Sequence, residues 1–552
     1  MRPIKQERSV IIVLIVLICI TAGELRSSNI TYSAITGRGW THGAFDESQS
    51  HYHWVWSRQD AESLPSDITH LRICQALDDY EFLGQFHQLT HLNLKSPPRE
   101  RLSVLGNCKN IRVLSVVFME NDIVAEMPVM ESVEEVFLSG AGVAVACAML
   151  ATKFPVVQRI TLDMTGLIAS EHLEAFRKLP RLRALYIYKY TTTEHGMQNI
   201  AQVTSDEVEA CAKLPNLQEL RLEGRDGDSP SGSSLAKLGA LTSLRALHLI
   251  FGGRIITEAL KGIPVGLDTL SVIGEATEED VTALLKQVGR FTDLRDLSFS
   301  GVSISAQALE QLSRSNSKIE RLSYSGRWPR NAAQSFKRFT ALKCLRIDVG
   351  RPDCQLSPSA LQVVADTLEE VFLWGRYAGS DWVAALADAT HLTRLALINI
   401  AFKPEDNASV EKVMQRLEYA TFHMCTGLRT AGYPVLSALK NVKYLQLLHF
   451  NESYSGSYAK TVASLPKLTH LNVDCSATDE VAIGALAMMR RLTSLTLSYQ
   501  SSITTPALFS RLRGTESLEH LQIWSFAAWT RKEYDALQEV LPGVNLQIPA
   551  MK

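Results

Sequence analysis

The sequence predicts an α/β solenoid, in which short strands stack as one parallel sheet and helices return the chain on the other side. One indication is a repeated word: EEVFLSG at 134–140 and EEVFLWG at 369–375 differ at one position. The second is the pattern L-x-x-L-x-L, with any aliphatic or aromatic residue at its fixed positions, which recurs about every 25 residues. The hexamers begin at residues 68, 89, 111, 133, 157, 182, 217, 244, 267, 294, 319, 342, 368, 392, 417, 442, 468, 492, 518 and 541.

Each hexamer has the alternation of a short strand, because successive strand side chains point to opposite faces. With positions 1, 4 and 6 facing the interior, positions 3, 5 and 7 face outward from the sheet. The sequence after each hexamer has apolar residues at helical spacing, as in 278–288 and 305–314. A single unit cannot bury its apolar face, so neighbouring units must stack, with the sheet on a concave side and the helices on a convex side.

This period and hexamer resemble the leucine-rich repeat (LRR) family, over about nine tenths of the chain. The repeats are irregular, and their texture is closer to bacterial or protozoan members than to animal receptor ectodomains. The Asn that usually follows the strand is largely missing. We expect a positive φ at the glycines that take the eighth position in six units, Gly140, Gly224, Gly274, Gly301, Gly326 and Gly375.

The N-terminus has the layout of a targeting signal. Arg2, Lys5 and Arg8 precede an uncharged apolar run that ends at Gly23. We therefore interpret residues 1–23 as a signal peptide or N-terminal anchor, which predicts an extracytoplasmic protein, secreted or tethered by an uncleaved signal anchor. Residues 24–67 are aromatic and His-rich and are interpreted as an N-terminal cap on the array, with contributions from three tryptophans, Trp40, Trp54 and Trp56. Residues 68–548 form the solenoid of about twenty units.

The charge and the motifs of the sequence argue against catalysis and against nucleic-acid binding. The formal net charge is −2, which gives no drive toward a polyanion. No nucleotide-binding, hydrolase, metalloprotease or kinase motif is found, so the prediction is a non-enzyme without cofactors. His42, His51 and His53 have side chains that can bind a metal, but no nearby Cys or compelling carboxylate accompanies them, so no metal site is predicted. Cys344 and Cys354 are close enough in sequence for a local disulfide bond, although most cysteines are expected to be thiols.

Function must then lie on the outward columns of the sheet. The resemblance implies a non-enzymatic binding scaffold, and aromatic or Arg side chains dominate the energetics of protein recognition. The candidate partner-binding residues are Tyr186, Tyr188, Phe372, Trp374, Arg394, Tyr419, His423 and Tyr444. A protein or peptide partner is the leading hypothesis. Recognition of a polysaccharide, and a structural role in the envelope or at the cell surface, stay open as alternatives.

Overall fold

The computed structural model describes residues 52–117, 123–140, 142–164, 167–189, 202–224, 230–254, 257–349, 355–375, 378–403, 407–428, 435–448, 456–475, 480–499, 509–525 and 529–548. The chain divides into two compact units, Met1–Ser50 and His51–Lys552, and all that follows concerns the second. The predicted signal segment and residues 24–51 of the predicted cap lie outside the described residues.

Within the described residues, twenty-one strands form one parallel sheet, in which each strand pairs with its neighbours in chain order. The strands are β1 His53–Val55, β2 His70–Ile73, β3 His91–Lys95, β4 Val113–Val117, β5 Glu135–Ser139, β6 Arg159–Met164, β7 Ala184–Lys189, β8 Glu219–Gly224, β9 Ala246–Arg254, β10 Thr269–Glu275, β11 Asp296–Ser303, β12 Arg321–Arg327, β13 Cys344–Asp348, β14 Glu370–Trp374, β15 Arg394–Ile398, β16 Tyr419–His423, β17 Tyr444–Leu448, β18 His470–Cys475, β19 Ser494–Tyr499, β20 His520–Ser525 and β21 Asn545–Gln547.

Short helices follow most strands and pack against the helices of adjacent units. The described α-helices are Arg58–Glu62, Ile123–Glu126, Val143–Lys153, Ser170–Glu174, Ser205–Cys211, Gly232–Ala236, Glu278–Val288, Ala306–Ser315, Ala332–Phe336, Ser359–Gln362, Asp381–Ala384, Asn407–Met414, Gly456–Ala463, Glu480–Leu486 and Arg531–Val540. The described 3-10 helices are Glu81–Gln85, Arg99–Asn107, Ala175–Lys178, Lys237–Ala240, Thr257–Gly262, Ala365–Thr367 and Ser510–Gly514.

The hexamers predicted the strands, and the chain has the leucine-rich repeat fold. For the first nineteen hexamers the strand begins at the third position, as at His91 for the hexamer that starts at 89. The last unit differs: Asn545 pairs with His520, so its frame begins two residues later than predicted, at Gly543. An additional strand, β1, precedes the first hexamer and pairs with β2. Its sequence has His53 where the pattern requires an aliphatic or aromatic residue, so the pattern did not find it.

The core is the continuous stack of inward-facing side chains. Positions 4 and 6 are closed to solvent in almost every unit; Leu92 and Leu94 of β3, for example, are both 0% exposed. Burying one such leucine contributes about 1.5–3 kcal/mol relative to leaving it exposed. Each unit therefore depends on the neighbours that cover it, as expected for a solenoid.

The glycines after the strands have two different roles. Gly140 has the expected positive φ of 127°. Gly274, Gly301 and Gly326 instead lie inside β10, β11 and β12, outside the positive-φ region, so the turn explanation is wrong for them. At Gly301 and Gly326 space is the reason: a Cβ at 301 would overlap the Val281 side chain, and one at 326 would overlap the carbonyl oxygen of Gly301.

The two ends of the sheet meet. Strand β21 lies beside β1, and the side-chain amides of Asn545 and Gln547 donate to the Tyr52 carbonyl oxygen over 2.9 and 3.2 Å. Arg531 pairs with Asp60 across 471 residues of chain. At a strand spacing of about 4.8 Å, the twenty-one strands close a circle of roughly 100 Å, or about 32 Å in diameter. The solenoid is thus a ring, and we call the contact between 52–60 and 531–547 the junction.

Six cysteines with described side chains are free thiols, and most of them are buried: Cys74, Cys108, Cys147, Cys211, Cys344 and Cys425. Burial raises the pKa of Cys344 and of Cys425 to about 12, so both are protonated at neutral pH. Cys344, the predicted disulfide partner of Cys354, is a free thiol, and Cys354 itself lies outside the described residues. No helix among the described residues has the length and apolarity needed to cross a membrane.

Candidate functional site

One outward column carries four side chains on the consecutive strands β15 to β18, and we call this set the ring ladder: Arg394, Tyr419, Tyr444 and His470. All four are half-buried. The Arg394 guanidinium carbon lies 4.4 Å from the centroid of the Tyr419 ring, within cation–π range. The rings of Tyr419 and Tyr444 stack 4.6 Å apart and 7° from parallel. The rings of Tyr444 and His470 stack 4.2 Å apart at 23°.

The ladder follows directly from the parallel register. Strands about 4.8 Å apart place successive position-3 side chains at nearly the stacking distance of flat rings. Tyr419 therefore has the Arg394 guanidinium on one face and Tyr444 on the other, and Tyr444 lies between Tyr419 and His470. Each tyrosine is held by its neighbours on both faces, so a partner would meet the edges of the rings.

The other predicted residues of this region do not join the ladder. Trp374 and His423 occupy position 7, two strands apart, in a separate column. Trp374 stands four residues beyond Glu370, the strand partner of Arg394, which is about 13 Å along the strand. Trp374 is 37% exposed, whereas Phe372 is buried at 7%. The structure therefore divides the predicted cluster into three parts: the ring ladder, a separate column with Trp374 and His423, and the buried Phe372.

Tyr186 and Tyr188 lie on β7, nine strands before β16, and belong to a different part of the sheet. Each has an arginine near its ring: Arg159 at 6.0 Å from the centroid of Tyr186, and Arg221 at 5.0 Å from that of Tyr188. Arg221 also pairs with Glu223 at 2.8 Å. Burial raises the pKa of Tyr188 to about 12, so its hydroxyl stays protonated. This is a second, independent candidate contact region.

A recurring threonine–histidine pair was missed at the sequence level, although the text THL is visible in three of the hexamers. In each, the Thr Oγ1 lies 2.8–2.9 Å from Nδ1 of the next histidine; the pairs are Thr69–His70, Thr90–His91 and Thr469–His470. The Thr90 hydroxyl also donates to the Thr69 carbonyl oxygen over 3.2 Å. These contacts hold the orientation of the His91 ring. His70 and His91 stack at 4.0 Å and 14°.

A buried polar trio lies on β8 to β10. His248 Nδ1 is 3.0 Å from Ser271 Oγ, and His248 Nε2 is 3.8 Å from Glu219 Oε1. These residue types also occur in hydrolytic triads, but the Glu219–His248 separation exceeds a hydrogen bond. His248 and Ser271 are each 1% exposed, which leaves no access for a substrate. We interpret the trio as an internal polar contact between adjacent units.

The described residues include no group of three or more His, Cys, Asp or Glu side chains placed to hold a metal ion. His42 and His51 lie outside the described residues. His53 is half-buried on β1, and its burial lowers its pKa.

Solved structures align with most of the chain at low identity. A Leptospira interrogans LRR protein covers 90% of this chain and is itself covered over 99%, with 13% identity and a TM-score of 0.30. TLR13, in a complex with ssRNA13, covers 90% of this chain and is covered over 68%, with 15% identity and a TM-score of 0.39. The plant peptide hormone receptor RGFR1, in complex with RGF2, covers 87% and is covered over 90%, with 12% identity and a TM-score of 0.29.

No protein-family model matches the chain, and no curated protein matches its sequence. With TM-scores of 0.39 or less, these likenesses identify neither a site nor a partner of this chain. The fold rests on the parallel register and the twenty-five-residue period of the chain itself.

Proposed function

We propose that this chain is a non-enzymatic, extracytoplasmic binding scaffold that recognises a protein or peptide along the concave face of its repeats. The observation that carries the proposal is the ring ladder of Arg394, Tyr419, Tyr444 and His470. Tyrosine and arginine are the side chains that most often supply the binding energy of protein interfaces.

Order within the ladder favours this use. Association costs about 0.5–1.5 kcal/mol for each flexible side chain that it immobilises. Because Tyr419 and Tyr444 are already stacked on their neighbours, a partner that contacts them does not have to order them. Arg394, held over Tyr419, adds a planar guanidinium for a carboxylate or a backbone carbonyl of the partner.

The ladder geometry favours a protein over a polysaccharide. Sugars are often recognised by an aromatic ring that lies flat against the sugar face, and this requires an uncovered ring face. Tyr419 lies between Arg394 and Tyr444, and Tyr444 lies between Tyr419 and His470. A protein partner would therefore contact the edges of these rings and not their faces.

The location outside the cytoplasm is proposed from residues 1–23 alone, a basic tail followed by a short apolar run. The non-enzymatic character is proposed because the repeats account for nearly the whole chain and leave little length for a catalytic domain. The near-neutral balance of charge supports a partner other than nucleic acid.

The test uses the parent protein, Tyr444→Ala and a matched control, Met488→Ala, which removes an apolar side chain that is 78% exposed and lies after the helix Glu480–Leu486. Each is immobilised and exposed to extracellular proteins of the source organism and to a glycan array. We expect a protein partner whose affinity falls by about 2 kcal/mol, roughly 30-fold, in Tyr444→Ala and not in Met488→Ala. Binding to glycans alone, or equal affinity of all three for the protein, would contradict the proposal.

A further inference from the structure

One arginine of the concave face has no carboxylate to neutralise it. Arg72 occupies the fifth position of its hexamer, on β2, and is half-buried. The two other arginines at this position, Arg221 and Arg346, each pair with a glutamate, at 2.8 and 3.3 Å. Arg72 has no such ion pair among the described residues, and its buried Nε atom has no hydrogen-bond acceptor there. Because a desolvated charged donor without an acceptor is costly, this position favours an anionic ligand.

A second donor without a partner lies against this guanidinium. Trp54 on β1 is the strand partner of Arg72, and the Arg72 guanidinium carbon lies 4.5 Å from the centroid of the Trp54 ring. Trp54 is only 4% exposed, yet its indole Nε1–H has no acceptor among the described residues. A buried indole N–H usually has a hydrogen-bond partner. Since the ring also holds the guanidinium in place, an anion that binds here has little of the site to order.

The strand partner of Arg72 on its other side supplies an acceptor. Asn93, on β3, donates from Nδ2 to Ser115 Oγ over 3.2 Å. Its Oδ1 atom, on the opposite side of the carboxamide, is buried and has no hydrogen-bond donor among the described residues. Asn93 and Arg72 are both half-buried, so a ligand can reach them. A ligand that satisfies Trp54, Arg72 and Asn93 together therefore carries a carboxylate and, close to it, an N–H group.

The surrounding sheet surface also favours an anion. The outward positions of β1 to β4 hold no aspartate or glutamate; they are Tyr52, Trp54, Trp56, His70, Arg72, Cys74, His91, Asn93, Lys95, Val113, Ser115 and Val117. Lys95 adds a second positive charge to that of Arg72. Burial raises the pKa of the Cys74 thiol to about 12, so this neighbour is uncharged at neutral pH. The local charge is therefore positive, which attracts a carboxylate.

We propose that Trp54, Arg72 and Asn93 form a binding site for an amino-acid carboxylate with a neighbouring N–H, supplied by the C-terminus of a peptide or by an acidic side chain. The carboxylate accepts hydrogen bonds from the Arg72 guanidinium and the Trp54 indole, and the N–H donates to Asn93 Oδ1. The site lies on β1–β3 and shares no residue with the ring ladder on β15–β18. It therefore goes beyond the proposed function, and either can fail without the other.

Small carboxylates test the site on the full chain labelled with ¹⁵N-tryptophan, in which each of the eight tryptophans gives one indole N–H resonance in an NMR spectrum. We expect N-acetylglycine to move the Trp54 resonance, assigned with Trp54→Phe, to lower field until the site is saturated. N-acetylglycine amide, which lacks the carboxylate, should not move it. N-acetylsarcosine, which lacks the N–H, should bind more weakly. N-acetylaspartate α-methylamide carries its only carboxylate on the side chain, so its affinity relative to N-acetylglycine tells the two sources apart.

Arg72→Gln should weaken the binding of N-acetylglycine about tenfold or more, because the charge-assisted hydrogen bonds are lost. Arg321→Gln is the matched control: it removes an outward arginine on β12 whose side chain is 51% exposed, and the affinity of the parent should remain. The other indole resonances show that each variant keeps the fold. The proposal is overturned if N-acetylglycine gives no saturable shift of Trp54 in the parent protein, or if its amide gives the same shift. It is also overturned if Arg72→Gln binds as tightly as the parent.

Discussion

The ion pair between Lys189 and Glu207 lies in the interior and gives the sharpest test of the energetics. The two side chains are 0% and 1% exposed, and Lys189 Nζ donates to Glu207 Oε1 over 2.5 Å. Glu207 also accepts from the backbone N–H groups of Ile168, over 2.8 Å, and Thr204, over 2.9 Å. Burial lowers the pKa of Lys189, because the ammonium loses its water. The pair thus joins three separate segments of the chain.

Lys189→Met removes the ammonium and leaves a buried carboxylate. Breaking a buried pair by removing one partner costs about 3–5 kcal/mol. Because Glu207 keeps its two backbone donors, we expect the lower end, about 3 kcal/mol, in urea unfolding. Adding Glu207→Gln removes the stranded charge, and the double variant should recover about 1–2 kcal/mol of that loss.

A surface pair in the same region is the matched control. Lys213 and Glu174 are also 2.5 Å apart, but their side chains are 52% and 35% exposed. Lys213→Met should therefore cost less than about 1 kcal/mol, because water and ions screen an exposed pair. The reasoning fails if Lys189→Met and Lys213→Met destabilise the protein equally, since burial would then not set the cost.

Four further outcomes are expected. Trp374→Ala should weaken binding of a protein partner by about 2 kcal/mol with little change in melting temperature, because the ring is 37% exposed. Leu373→Ala should instead leave a buried cavity and lower the free energy of unfolding by about 2–5 kcal/mol, since Leu373 is 0% exposed. If Trp374→Ala melts well below the parent protein, the Trp374 ring packs in the fold and does not recognise a partner. Burial lowers the pKa of His91 below its unfolded value of about 6.5, so the unfolded chain binds the proton more readily. The free energy of unfolding should then fall as the pH drops through 6.5 toward the lowered pKa. His91→Gln should reduce this loss. If the variant has the same pH profile as the parent, the role of His91 is refuted. Finally, mass spectrometry of the secreted protein should place its N-terminus near Glu24, whereas an intact chain in the cytoplasm would refute both the cleaved and the anchored forms.

The strands could be predicted because their information is local and repeated. A side-chain period of two fixes which residues of a hexamer face inward, so Leu92 and Leu94 identify both the strand and its buried face. The pattern can nevertheless misplace a whole unit, as the two-residue shift of the last frame shows. There the hexamer starting at Leu541 fits the pattern at all three fixed positions, whereas the frame starting at Gly543 has a glycine at the first. Only the pairing of Asn545 with His520 shows that the second frame is the one used.

The candidate site could be predicted only in part, because its contacts lie between units. The sequence pattern identifies Tyr419 and Tyr444 as outward-facing, and the parallel strand register places their rings face to face. It does not reveal that Phe372, also outward by position, is buried, because burial depends on what surrounds it in three dimensions. The junction could not be predicted from the sequence, because Arg531 and Asp60 are 471 residues apart and neither belongs to a repeated pattern.

Closure fixes the number of units that this chain can have. An open array can gain or lose a repeat by recombination, because each unit needs only its immediate neighbours. In a circle of twenty-one strands each unit accounts for about 17° of arc, so deletion of one would leave a gap of one strand between β1 and β21. The hydrogen bonds of Asn545 and the ion pair of Arg531 would then not reach their partners. Related chains that keep these residues should therefore vary by substitution and by the length of the connections between units, but not by whole repeats.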